Sequence, residues 1–190
     1  MIWGGTPVTT AVLRATRPPL QQLCGRHARL YNRSVIKKRP PRLQQIFQSY
    51  DPPLFFVTIC TAYRRKIDRL ETAHEAFRKY ALKGVEEFNV GVGRYVIMPD
   101  HMHFFVRGDN RFDLGEWVSG LKRAISVALG GTNNRPLWQP GFFDHLLRND
   151  ESYAQKWEYV RQNPVRAGLV DSAAAWRYQG KIVTIDRSQV

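Results

Sequence analysis

The stretch VGVGRYVIMPDHMHFFV, residues 90–106, consists of two runs rich in apolar and β-branched residues with Pro99-Asp100 between them. Short runs of this kind, bounded by turn residues, are typical of strands. A Pro-Asp pair favours a turn. The sequence therefore predicts two neighbouring strands, residues 90–98 and 101–106, that form a hairpin.

Strands and amphipathic helices alternate on both sides of this hairpin. β-branched and aromatic composition predicts a buried strand, apolar residues at helical spacing predict three helices, and an aromatic, turn-rich stretch is interpreted as a further strand. In chain order these segments are the strand 54–61, the helix 70–88, the helix from Asp113 to Leu129, the stretch 137–147 and the helix 150–163. The order β-α-β-β-α-β-α predicts an α+β fold, a ferredoxin-like (RRM-like) antiparallel sheet with helices packed on it.

Positive charge is concentrated at the beginning of the chain. Residues 1–50 hold nine Lys and Arg and no Asp or Glu. Prolines interrupt this segment, which predicts an extended cationic arm with Lys37, Lys38 and Arg39 as DNA-binding candidates, or alternatively a disordered solubilising tail. We predict a basic N-terminal extension over 1–48, a domain of catalytic size over 49–170 and a C-terminal tail over 171–190 without assigned structure.

The overall charge predicts a polyanionic partner. The 29 Lys and Arg against 16 Asp and Glu give a net charge of +13, which favours nucleic acid. Charge alone does not separate an enzyme acting on DNA from a protein that only binds RNA. Two distant cysteines without CxxC spacing indicate neither a thiolate zinc site nor a disulfide framework, and no apolar run reaches the roughly 18 residues of a membrane span. We expect a cytoplasmic protein without a membrane partner.

His101 and His103 flank a single residue on the second strand of the hairpin. Alternate residues of a strand project from the same face, so both imidazoles converge. Two neutral imidazoles aimed together can hold a divalent cation. Taken alone, such a spacing also arises by chance, and two ordinary histidines are the alternative.

Tyr159 lies on the last predicted helix, away from the apolar stripe of Tyr153, Trp157 and Val160. It is therefore not an obvious core ring. Asn163, four residues later, shares its helix face and offers an amide oxygen, although an Asn before a proline is equally typical of a helix end. Further candidates for phosphate contacts, with solvated helix charges as the alternative, are Lys122, Arg123, Lys156, Arg161 and Arg166.

Three segments carry a family resemblance: YVIMPDHMHFFVRG from Tyr95, WQPGFFDHLLRNDESY from Trp138 and KWEYVRQNPVRAGLV from Lys156. In order and separation they resemble the REP-associated tyrosine transposases, a branch of the single-tyrosine HUH transposase superfamily. The resemblance covers about residues 41–170. It implies the HUH endonuclease fold and a metal-dependent DNA transposase.

The resemblance also implies roles for individual residues. Tyr159 becomes the nucleophile that attacks single-stranded, hairpin-forming (REP-like) DNA and forms a 5′-phosphotyrosine link. His101 and His103 become ligands of a Mg²⁺ or Mn²⁺ ion. The third ligand falls on Asn163, where many relatives have Gln, and His145 competes for that role or forms a structural pair with Asp144. A monomer is expected rather than a homodimer.

Two other functions stay open at this point. The same sheet could serve an inactive, domesticated module that binds nucleic acid without catalysis. A small metal-dependent hydrolase of nucleotides is the weaker alternative.

Overall fold

The structure is a computed structural model that describes residues 53–109, 111–131, 135–147 and 150–185, with the side chains of the last range described from residue 153 on. The predicted basic extension over 1–48, with Lys37, Lys38 and Arg39, lies outside the described residues.

In the described part of the chain, five strands form one antiparallel sheet. They are β1 (Leu54–Cys60), β2 (Gly91–Met98), β3 (His101–Arg107), β4 (Phe143–Leu147) and β5 (Gln179–Lys181). Their spatial order is β4-β1-β3-β2-β5, so β3, the second strand of the predicted hairpin, lies at the centre. The predicted α+β class with an antiparallel sheet is confirmed.

Helices cover both faces of the sheet. On one face, α1 (Leu70–Phe88) and α2 (Leu114–Ala128) bury Phe77 and Leu121 in the larger core cluster. The opposite face is covered by α3 (Asp150–Arg161), whose apolar residues join a second cluster with the C-terminal segment. β3 is buried from both sides, which explains why nearly every residue of this strand is apolar or histidine.

Alternation along β3 separates the two core clusters. Met102, Phe104 and Val106 pack in the cluster beneath α1 and α2, whereas Phe105 packs in the cluster beneath α3. His101 and His103 share the parity of Phe105 and therefore face the α3 side of the sheet.

The start of α2 follows a local sequence signal, whereas the last predicted helix ends earlier than expected. Asp113 caps α2 as predicted, since its carboxylate accepts the backbone N–H of Glu116 at 2.9 Å. The last predicted helix was expected to continue to residue 163, but α3 ends at Arg161 and a separate short helix α4 (Asn163–Arg166) follows. Pro164 has no N–H for the helix before it, yet its fixed φ suits the first turn of a new helix. Asn163 therefore begins α4.

Residues 171–185, which the sequence left unassigned, extend the sheet. β5 pairs with β2, and the Trp176 indole donates to the carbonyl of Ile97 at 3.0 Å. Ile185 packs so closely over β2 that a Cβ at Gly93 would lie 2.5 Å from its side chain. The three-residue strand QGK carries no apolar alternation, which is why no pattern indicated it.

Among the residues that the structure describes, no helix is both long and apolar enough to cross a membrane.

Candidate functional site

His101 and His103 lie at the start of β3 and converge beneath α3. Their ring centroids are 4.8 Å apart, and the ring planes are inclined at 80°. The residues are 5% and 7% exposed. Strand alternation predicted this shared face, while the burial follows from the central position of β3.

Each imidazole is fixed through its Nδ1 atom. His101 Nδ1 donates to Asp100 Oδ1 at 2.6 Å, and His103 Nδ1 is hydrogen-bonded to the Thr58 hydroxyl at 2.8 Å. Arg64 Nε in turn lies 2.8 Å from Asp100 Oδ2. No side chain in the described ranges bonds either Nε2 atom. An imidazole oriented through Nδ1 with Nε2 available is the arrangement of metal-ligating histidines.

Burial and charge favour the neutral imidazole that a metal requires. Burial, the neighbouring His101, and the positive charges of Arg64 and Arg166 hold the pKa of His103 well below its usual value. Burial opposes ionisation of Asp100, but the hydrogen bond from His101 and the charges of His101 and Arg64 outweigh it, so the pKa of Asp100 is lowered. Asp100 is thus an anion that orients the imidazole of His101 through Nδ1.

Thr58, Arg64 and Asp100 were not among the predicted site residues. Asp100 was assigned only to a turn, although its position directly before His101 was a usable signal. Thr58 contributes because the register of β1 against β3 pairs it with His103. That register is not readable from either strand alone.

Tyr159 lies on α3, on the same side of the sheet as the histidines. Its ring is half-buried at the edge of the second core cluster, whereas Val160 beside it is buried. The guanidinium of Arg166 lies 4.2 Å from the centroid of the Tyr159 ring and donates to the Tyr159 carbonyl at 2.6 Å. The positive charge of Arg166 also lowers the pKa of His103.

Asn163 is 1% exposed, and its side-chain oxygen accepts a hydrogen bond from Arg166. His145, the other candidate for third ligand, lies on β4 opposite Phe56, whose ring stacks on His103 with centroids 5.5 Å apart. The described ranges contain no group of three or more His, Cys, Asp or Glu side chains that could hold a metal ion. His145 therefore lies on the same face of the sheet as His101 and His103, but the three histidines do not form a group that could hold a metal ion.

The predicted phosphate-binding residues occupy different environments. The Lys156 ammonium lies 5.6 Å from the centroid of the Phe56 ring, on the face of the sheet that carries His101 and His103. Arg166 lies on the same face, against the Tyr159 ring. Arg161 forms an exposed ion pair with Glu158 at 2.9 Å, and Arg123 is exposed on α2.

Lys122 holds a loop instead of facing solvent. Its ammonium donates to the carbonyls of Gln139 and Gly141 at 2.9 and 2.5 Å. Burial lowers the pKa of Lys122 to about 8. These contacts indicate a structural role for this lysine.

Comparisons with known proteins agree with this fold and with the predicted family. The sequence profile of the family described as "Transposase IS200 like" matches residues 55–163, more than half of the chain. The "REP-associated tyrosine transposase" of Escherichia coli K12 is 28% identical over 127 residues, which cover 65% of this chain and 73% of that protein. A solved structure of a REP-associated tyrosine transposase bound to a REP hairpin superposes with a TM-score of 0.59 at 24% identity, covering 71% of this chain and 81% of that one.

An antiparallel sheet with a histidine pair on its central strand and a tyrosine on the covering helix defines the class of HUH-type transposases. The chain belongs to the IS200-like transposase family. Within it, the similarity extends to the branch of REP-associated tyrosine transposases, as the sequence motifs predicted.

Proposed function

We propose that this chain cleaves and rejoins single-stranded, hairpin-forming DNA of the REP type through a covalent link to Tyr159. The observation that carries the proposal is the joint geometry of two Nδ1-anchored histidines and a helix that bears a half-buried tyrosine beside Arg166. All of these groups belong to one face of the sheet.

The transfer chemistry uses the tyrosine hydroxyl as nucleophile. A bond forms between the Tyr159 oxygen and the phosphorus, the bond from phosphorus to the 3′-oxygen breaks, and the tyrosine gives up the proton that the 3′-hydroxyl product carries. The product is a 5′-phosphotyrosine and a free 3′-OH. Attack by a 3′-OH reverses the step, and rejoining needs no ATP because the covalent link conserves the phosphodiester energy.

Residues of this chain fit a divalent cation, Mg²⁺ or Mn²⁺. His101 and His103 would hold it through Nε2, because their Nδ1 atoms are already bonded and burial keeps His103 neutral. Asn163 would add an amide oxygen, for which Arg166 must release its hydrogen bond. When bound, the cation supplies polarisation of the phosphate that tyrosine attacks.

Arg166 and Lys156 support the nucleophile from the protein side. Arg166 fixes the Tyr159 ring from one side, and orientation of an attacking group contributes much of the rate of such reactions. Lys156 places a second positive charge on the same face. Both cations suit phosphate contacts that position the DNA without reading its sequence.

A hairpin partner is proposed from the relative whose solved structure holds a REP hairpin and from the charge of +13 on this chain. We propose that the chain acts as a monomer. Specificity for a particular hairpin would depend on base contacts and DNA shape.

The test is covalent capture of DNA. Full-length protein is incubated with end-labelled hairpin DNA and Mn²⁺, and a protein–DNA adduct that survives denaturation is sought on a gel. We expect the adduct in the wild type and in Tyr153→Phe, a control on the same helix, and its loss in Tyr159→Phe. An adduct that persists in Tyr159→Phe contradicts the assignment of the nucleophile.

A second variant tests the metal ligands. His101→Ala should abolish metal-dependent cleavage but keep most of the DNA affinity, because phosphate contacts dominate binding. Cleavage at the wild-type rate would refute the ligand assignment. Tight hairpin binding with no adduct under any condition would instead favour the inactive binding module.

A further inference from the structure

The connection between β1 and α1 contains two residues in an unfavourable backbone conformation. Tyr63 and Arg64, in a 3₁₀ turn over Ala62–Arg64, have φ angles of 56° and 57°. Non-glycine residues rarely adopt this left-handed region because Cβ approaches the backbone. Strain of this kind persists only where the surroundings impose it, and it concentrates at functional sites.

The surroundings of this turn are firmly anchored. Thr61 is fully buried, and its hydroxyl contacts the carbonyl oxygens of Arg65 and Asp100 at 2.7 and 3.0 Å. The Thr61 N–H also donates to the Asp100 carbonyl at 2.9 Å. Arg65 donates to the Pro136 carbonyl at 2.5 Å. The residues on either side of the strained pair, Thr61 and Arg65, are thus both held by hydrogen bonds to other segments of the chain.

The side chain of Tyr63 in this turn lies in solvent. Its ring is 87% exposed, more than any other large hydrophobic side chain in the described ranges. The next residue, Arg64, contacts Asp100, which orients His101. The turn therefore presents an exposed aromatic ring one residue before Arg64, which is linked to His101 through Asp100. The cations Arg64, Arg65 and Lys66 follow Tyr63 in the sequence.

We propose that Tyr63 is a stacking platform for an unpaired base of the DNA next to the phosphate that Tyr159 attacks. The proposal rests on the function proposed above. A base stacked on an aromatic ring needs no particular sequence, since every base presents a π-face. Nearby positive charge suits the backbone of the same strand. Because the turn also carries Arg64, the base would be held at a fixed position relative to His101.

The experiment reads stacking directly. Hairpin DNA with a single-stranded flank carries 2-aminopurine at successive flank positions, and its fluorescence and the dissociation constant are measured with full-length protein. We expect quenching at one flank position, its loss in Tyr63→Ala with affinity about tenfold weaker, and retention of both in Tyr63→Phe. Phe88→Ala is the matched control, since Phe88 is 60% exposed at the end of α1 on the other face of the sheet.

Tyr63→Gly separates binding from stability. Glycine tolerates positive φ, so this variant should unfold at an equal or higher temperature than the wild type while it loses DNA affinity. A purely structural role for Tyr63 cannot give that combination.

The outcomes distinguish this proposal from the transfer reaction. Wild-type affinity and quenching in both Tyr63→Ala and Tyr63→Gly overturn the platform, even if Tyr159→Phe abolishes the adduct as expected. Loss of quenching and affinity in Tyr63→Ala supports the platform, even if the wild type forms no adduct and the proposed transfer reaction is wrong.

Discussion

Asp100 accepts the Nδ1–H of His101 at 2.6 Å, and its second carboxylate oxygen lies 2.8 Å from Arg64. One side chain thus orients the first histidine of the pair and ties it to the strained turn after β1. This relationship makes the orientation of His101 depend on residues outside the H-x-H motif.

Asp100→Asn should weaken metal binding. The amide keeps the shape of the side chain but loses the charge that fixes the imidazole, and such outer partners are typically worth about 10- to 100-fold in metal affinity. Mn²⁺ binding measured by calorimetry or electron paramagnetic resonance tests this. Asp109→Asn, in the turn that follows β3, is the control and should bind Mn²⁺ like the wild type. Equal affinity of Asp100→Asn and the control would contradict the prediction.

The third ligand can be decided by a pair of substitutions. Asn163→Ala removes a buried amide oxygen next to Arg166 and should lower Mn²⁺ affinity, by about tenfold if the oxygen is a ligand. His145→Ala should leave the Mn²⁺ affinity unchanged, because His145 lies on the edge strand β4, opposite Phe56 and not beside the histidine pair on β3. Mn²⁺ titrations of both variants provide the measurement, and the reverse result would make His145 the ligand.

Arg166→Ala should slow formation of the covalent adduct more than it weakens DNA binding. The guanidinium contacts the Tyr159 ring and carbonyl, and small displacements of a reacting group can cost about 100-fold in rate. Single-turnover adduct formation at saturating hairpin DNA separates rate from affinity. Arg161→Ala, which removes only an exposed ion pair with Glu158, is the matched control. Similar rates in the two variants would argue against a positioning role.

His74 should make the protein less stable in mild acid. It is buried with its Nε2 2.9 Å from the Tyr95 hydroxyl, and burial together with the charge of Arg78 lowers the pKa of His74. As pH falls below about 6.5, the unfolded chain takes up a proton that the folded protein resists, so the free energy of unfolding decreases. The slope from this group cannot exceed about 1.4 kcal/mol per pH unit.

The measurement is urea unfolding at neutral pH and in mild acid. His74→Gln keeps a polar partner for Tyr95 but does not titrate, so its free energy of unfolding should fall less on acidification than that of the wild type. The same fall in both proteins would assign the acid sensitivity to other groups.

Local sequence patterns predicted most of the fold. In the described part of the chain, β1, β2, β3 and the three long helices lie within a few residues of their predicted positions, and Asp113 caps α2 as predicted. β4 occupies only residues 143–147 of the stretch 137–147 that was interpreted as a strand, because that stretch is rich in turn residues and has no clear apolar period. β5 was not predicted, since three residues with two polar side chains have no period. It forms because Trp176 and Ile185 anchor the segment on either side.

The sequence by itself determined the antiparallel α+β sheet, the shared face of His101 and His103, and the family motifs that include Tyr159. Only the tertiary structure decided what surrounds them. Thr58 contacts His103, which lies 45 residues later in the sequence. Arg64, in the connection between β1 and α1, contacts Asp100 in the turn between β2 and β3. Such contacts depend on strand register and on how the chain folds back, which periodicity does not encode.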